Sequence, residues 1–150
     1  MSLFVTCASC DKDTTIPEER SRQDSMHIGG KMNIRIGTKT FTATLADNET
    51  AAAFKALLPL TITMVELNGN EKYWDLSSSL PIKASNPGTI QAGDLMLYGA
   101  STLVLFYKTF STSYSYTKLG QIDDVAGLTA ALGTGNVAVT FELMKKQETE

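Results

Sequence analysis

The chain is short of the residues that most enzyme chemistry uses. It has one histidine, His27, and two cysteines, Cys7 and Cys10, all within the first thirty of its 150 residues. From residue 31 onward there is no imidazole and no thiol. That excludes, in this stretch, the zinc, copper and haem sites built on those groups, and any nucleophile paired with a histidine. Arginine is equally scarce, at Arg20, Arg22 and Arg35. The net charge is −3, so no basic surface for nucleic acid is expected. No run approaches the ~20 apolar residues needed to span a bilayer. What is present is globular: 43% of residues are hydrophobic and 19% charged, in a chain long enough for one core but not two.

The charge is unevenly placed. Residues 10–30 hold five acidic and three basic side chains with Pro17 and Gly29-Gly30, and show no apolar periodicity. Together with the start they read as a signal-like segment and disordered linker over 1–30, followed by a body over 31–144 and a polar tail over 145–150. The body carries only −1. At the start, Leu3-Phe4-Val5 leads through Ala8-Ser9 to Cys10 and then to Asp11-Lys12-Asp13, the order found at the end of a bacterial lipoprotein signal. The apolar stretch is shorter than the roughly 7–15 residues of a working signal. Two readings fit: an envelope lipoprotein with Cys10 as its lipid anchor and its membrane contact, or a cytoplasmic domain starting at Met26 or Met32. A C-x-x-C redox site at Cys7-Cys10 lacks the βαβ context it needs.

The body reads as short strands. Met32, Ile34 and Ile36 alternate with polar residues, as do Phe41, Ala43 and Leu45, across a turn at Gly37-Thr38. Asp47-Asn48 caps a helix whose stripe is Ala51, Phe54, Leu57 and Leu58, stopped by Pro59. Leu60–Met64 is a strand, Asn68-Gly69 a turn, and residues 71–74 extend from it. Residues 77–88 form a loop rich in serine and proline. Residues 95–98 are a strand, and residues 103–108 are almost wholly apolar, as a strand buried on both faces is. Phe110–Thr117 extends as a wetter strand. Asp123-Asp124 caps a short helix over 125–132, and Val137, Val139, Phe141 and Leu143 alternate in the last strand. This pattern predicts a mainly β fold, a closed barrel of about eight strands with two short capping helices, in which the first and last strands meet.

Particular segments resemble a known family. Gln91-Ala92-Gly93-Asp94-Leu95-Met96-Leu97-Tyr98, Leu103–Tyr107 and Tyr116-Thr117-Lys118-Leu119-Gly120-Gln121-Ile122 are similar to the bacterial cyclophilin-like fold proteins, with support from Asn70–Tyr73 and Asn48–Ala51. The resemblance runs over residues 31–143. It implies a closed barrel of about eight strands. Some relatives of that kind occur beside flavodoxin-like domains, which implies a flavodoxin-like redox partner as one option. It does not carry an active site across. True cyclophilins are prolyl isomerases that use an arginine on a mid-barrel strand, with glutamine, aromatic and histidine neighbours. Here Arg20, Arg22 and His27 fall in the linker and Arg35 in the first strand. The donor that would lower the ~20 kcal/mol barrier to prolyl isomerisation is not recognisable.

Several smaller motifs have structural explanations. Gly133-Thr134-Gly135-Asn136-Val137-Ala138 has phosphate-loop spacing but precedes a strand, so it reads as a helix-to-strand turn. Gly93 and Asp94 read as a structural turn in which the carboxylate accepts backbone N–H groups. Glu71 reads as surface or turn chemistry. The richest set is aromatic. All five tyrosines, at 73, 98, 107, 114 and 116, lie near Trp74 and Phe110 in three neighbouring segments. From these the candidate ligand groove is Tyr73, Trp74, Tyr107, Phe110, Tyr114 and Tyr116. The favoured reading is a non-catalytic module binding a peptide or small molecule there, with no cofactor, no metal and no nucleic acid. A divergent prolyl isomerase and an accessory domain of a flavodoxin-type partner are the alternatives.

Overall fold

A computed structural model describes residues 30–144. The signal-like start with Cys10, His27, Arg20 and Arg22, and the polar tail lie outside the described residues.

Among the described residues ten strands and two short helices follow in order: β1 (Gly30–Ile36), β2 (Lys39–Leu45), α1 (Glu49–Lys55), β3 (Leu60–Leu67), β4 (Glu71–Asp75), β5 (Thr89–Ile90), β6 (Asp94–Tyr98), β7 (Thr102–Phe106), β8 (Phe110–Ser111), β9 (Thr117–Ile122), α2 (Leu128–Leu132) and β10 (Val137–Leu143). Eight strands close an antiparallel barrel in the order β1-β10-β3-β4-β7-β6-β9-β2. β5 and β8 pair separately. β1 and β10 are neighbours, with Ile34 opposite Phe141, so no barrel edge is left unpaired. Gly120 allows the closest approach in the closure. A Cβ there would lie 2.7 Å from the Thr44 carbonyl of β2.

The alternating apolar residues of β1 and β2 all point inward and are buried. In β10, Val139 and Phe141 are buried while Leu143 at the strand end is exposed. α1 closes one barrel end. Asn48 caps it, its Oδ1 accepting from the Ala51 N–H at 2.7 Å, and Phe54 meets Phe141 edge-on at 5.6 Å. The helix stops at Lys55, earlier than its apolar stripe suggested, so Leu57 and Leu58 pack from the turn that follows.

Two expectations need correction. α2 begins at Leu128 rather than Val125, and Asp123 does not cap it. Asp123 instead clasps two strands, accepting from Lys31 Nζ and Thr44 Oγ1, each at 2.6 Å. Those hydrogen bonds, against a smaller opposing effect of burial, hold its carboxyl below the ordinary value. The second correction concerns residues 110–117, which are not one strand. β8 is two residues long, and Tyr116 makes an isolated bridge to Ser85. The segment folds back over the outside of the barrel, so strand parity does not decide which way its side chains point.

β7 behaves as its composition predicted. Leu103 and Leu105 face the barrel interior, while Val104 and Phe106 face outward and are also buried. The outer pair lies under a second apolar cluster with Ile90, Met96 and Tyr116. The wall β4–β7–β6 thus has a core on each side, and the outer one carries the candidate site.

Candidate functional site

Rows of residues across the wall define the site. On the outer face Glu71 is opposite Phe106. Tyr73 is opposite Val104, and Val104 is opposite Met96. Asp75 is opposite Thr102, and Thr102 is opposite Tyr98. The period of two along each strand puts Glu71, Tyr73 and Asp75 on one side of β4. The folded-back segment adds Tyr114 and Tyr116. With Tyr98, Leu67, Asn68 and Thr102, these five side chains line a groove of about 350 Å³ floored by Val104. That is the lower end of the range for small-molecule sites.

The rings are set at fixed angles. Tyr98 and Tyr114 meet nearly perpendicular, 84° at 6.2 Å, and make a corner. Tyr116 lies 5.7 Å from Tyr98 and stands edge-on to Phe106 at 5.5 Å. Tyr116 is buried, whereas Tyr98 and Tyr114 are 48% and 61% exposed. The groove therefore has an anchored back wall and two open aromatic walls. Thr102 Oγ1 donates to Asp75 Oδ1 at 2.6 Å and orients that carboxylate.

Glu71 is the unusual member. Among the described residues its side chain has no hydrogen bond and no ion pair. Burial, then the nearby charge of Glu66, pushes its carboxyl above the ordinary value. Burial also raises the Tyr116 phenol, and the charge of Glu71 adds to that. Among the described residues no lysine or arginine lines the groove.

The neighbouring cation is committed elsewhere. Lys72, one residue along β4, points into the barrel and is fully buried. Its Nζ donates to the Gly133 and Gly135 carbonyls at 2.8 and 2.6 Å and pairs with Glu66 Oε1 at 2.9 Å. Those carbonyls belong to the turn between α2 and β10, so the 133–138 segment has the structural role its position implied. Tyr107 donates from its hydroxyl to the same Glu66 oxygen at 2.8 Å, and its ring lies 5.5 Å from Lys72 Nζ. Burial, and then the bond to Glu66, pushes the Tyr107 phenol up to about 12.

Of the six residues expected to form the groove, the structure brings Tyr73, Tyr114 and Tyr116 together. Phe110 packs on Phe106 in the layer beneath, at 5.6 Å. Tyr107 lies inside the barrel end. Trp74 has the opposite parity from Tyr73 and lines a separate hollow with Leu57, Leu60 and Leu76. Tyr98, Glu71 and Asp75 complete the groove. Their signal in the sequence was the two-residue spacing of 71, 73 and 75 beside a strand ending in Tyr98. At the Gly93 turn, Asp94 Oδ2 accepts from the Gln91 N–H at 2.9 Å.

A family model described as the cyclophilin-like family matches residues 34–142. The chain belongs to the cyclophilin-like family. The matched region begins within β1 and ends within β10, so it takes in every strand of the barrel. The fold is also similar to the solution structure of a hypothetical protein from Archaeoglobus fulgidus, with a TM-score of 0.56 and 16% identity, over 79% of this chain and 97% of that one. No protein of curated function matches the chain.

Proposed function

We propose that this cyclophilin-like domain is a non-catalytic binding module that takes a small molecule or a peptide side chain in the groove outside β4, β7 and β6. The observation that carries this reading is the second apolar layer. A barrel needs only its inner core to fold, yet here Ile90, Met96, Val104, Phe106 and Tyr116 form an outer cluster that fixes the tyrosine walls above it. Pre-set aromatic walls with polar tips around a concave floor favour ligand binding, because little side-chain freedom is lost when they are used.

Isomerase chemistry finds no electrophile at this place. Among the described residues the one arginine is Arg35 on β1, four strands from β7 in either direction round the barrel. Its guanidinium faces Glu142 at 3.6 Å.

The test pairs two measurements on the full chain. Amide shifts are mapped while a mixed panel of small molecules and short peptides is added, and prolyl isomerisation of a proline peptide is followed. Shifts concentrated at Tyr73, Tyr98, Tyr114 and Tyr116, with isomerisation at the spontaneous rate, are expected. Turnover above that rate and lost in Tyr73→Ala would overturn the reading, as would a panel that leaves the groove unshifted.

A further inference from the structure

The groove's charge balance identifies a chemical class of ligand. Its walls include four tyrosines, its two charged members are both carboxylates, and among the described residues no basic side chain lines it. Glu71 is half-buried and unpartnered among the described residues. The nearest lysine on its strand, Lys72, is turned to the other side of the wall and occupied by three acceptors. The fold thus places a carboxylate in a partly dry aromatic site, and the described residues supply no cation for it.

Each other ligand class meets an obstacle. An anion faces Glu71 and Asp75. A neutral apolar group would strip water from Glu71 and offer nothing in return, which is costly for a charged group. A small metal ion needs several oxygens at once at 2.0–2.6 Å, roughly, from its centre. Glu71 and Asp75 are four residues apart on an extended strand, ~13 Å, and cannot share one. An organic ammonium group meets none of these obstacles. Its diffuse charge suits the tyrosine rings beside Glu71, whose faces attract cations through the ring quadrupole, and it compensates Glu71 directly.

We infer that the groove binds an organic ammonium group, seated against Tyr73 and Tyr116 and neutralised by Glu71. This rests on the binding-module reading and names its ligand class. The group comes either on a free small molecule or on the side chain of a lysine or methylated lysine in a peptide. Asp75, held by Thr102 in the row that ends in Tyr98, lies at the other end of the groove and is placed to take a second donor of the same ligand.

The experiment titrates the full chain with choline and with 3,3-dimethyl-1-butanol, its neutral isostere, following amide shifts. A short peptide carrying trimethyllysine forms a third arm. The expected result is saturable shifts at the groove with choline or the peptide, and at least about tenfold weaker binding of the neutral isostere. Tighter binding of the peptide assigns the group to a protein side chain, and tighter binding of choline assigns it to a free metabolite. Glu71→Gln, which keeps shape and removes charge, should weaken the cation several-fold and leave the isostere unchanged. Glu142→Gln, on β10 and outside the groove, should change neither. Equal binding of choline and its isostere, or groove shifts from neutral compounds alone, overturns the ammonium assignment while the binding module stands. A groove unshifted by these probes and by the mixed panel overturns both.

Discussion

Glu66 and Glu71 lie five residues apart, on the two strands of one hairpin, and the protein treats them in opposite ways. Glu66 faces the barrel interior. Burial works to raise its carboxyl, but hydrogen bonds from Lys72, Tyr107 and the Gly69 N–H, with the charge of Lys72, outweigh it and hold the group below its ordinary value. Glu71 faces the outer groove without a partner, and its carboxyl is held above the ordinary value. On the inside, charge is compensated and serves the fold. On the outside, charge is left open, as the proposed ligand site requires. The strand's two-residue period separates the two roles, since Lys72 and Glu71 are adjacent in sequence and on opposite faces of one wall.

The comparison can be broken most severely on the inner side. Lys72→Met leaves the Glu66 carboxylate without its cation and two turn carbonyls without a donor. Losing one partner of a buried pair costs about 3 kcal/mol. For a domain of this size that is a fall in Tm of more than about 10 °C, read by circular dichroism. Pairing the change with Glu66→Leu should recover much of the loss, since it removes the stranded charge. A Tm unchanged in Lys72→Met would show that the inner network contributes nothing to the fold.

A smaller effect is expected at the surface clasp of β1, β2 and Asp123. Asp123 is well exposed, so water and salt screen its pair with Lys31, and Asp123→Asn should cost no more than about 1 kcal/mol. Its folded pKa lies below the unfolded value. The stability it contributes is therefore present above the ordinary Asp range and lost as pH falls through the folded value. Chemical denaturation of wild type and variant should differ at pH 7 and converge in acid.

The smallest effect has the opposite sign. Glu71 has a folded pKa above 4.5, so the native state holds the proton more tightly, and stability falls as pH rises from 4.5 through the folded value. Glu71→Gln removes that slope. The variant should match wild type near pH 4 and slightly exceed it at pH 7. Affinity for an ammonium group runs the other way, weakening as pH falls and Glu71 takes up its proton. The titratable groups around it are Tyr73 and Asp75 on its own strand, Glu66 and Tyr107 on the inner side, and Tyr98, Tyr114 and Tyr116 across the groove. A stability loss in Glu71→Gln at pH 7 would place Glu71 in the fold rather than in the site.

The barrel was legible because its signals are local and periodic. Met32, Ile34 and Ile36 against Phe41, Ala43 and Leu45 specify a hairpin with one buried face, and an unbroken apolar β7 specifies burial on both faces. The groove was legible only in part. Trp74 and Tyr73 are consecutive on a strand and so point to opposite sides of it, and Trp74 does not reach the groove, which parity alone would have shown. Tyr107 and Phe110 sit where the chain leaves β7 and turns back, and no periodicity predicts which layer such residues join. Glu71 looks like turn chemistry in sequence because it follows Asn68-Gly69. Its meaning comes from Tyr98, Tyr114 and Tyr116, which are brought to it from 27 to 45 positions away by strand order and the folded-back segment.

The most direct measurement is a side-chain carboxyl NMR titration that resolves Glu66 and Glu71 in one sample. Glu71 should titrate above 4.5 and Glu66 below it, and saturation with an ammonium ligand should lower the Glu71 value while Glu66 stays in place. Glu71 titrating at or below Glu66, or a Glu71 value unmoved by a bound cation, would overturn the division of roles between the two carboxylates.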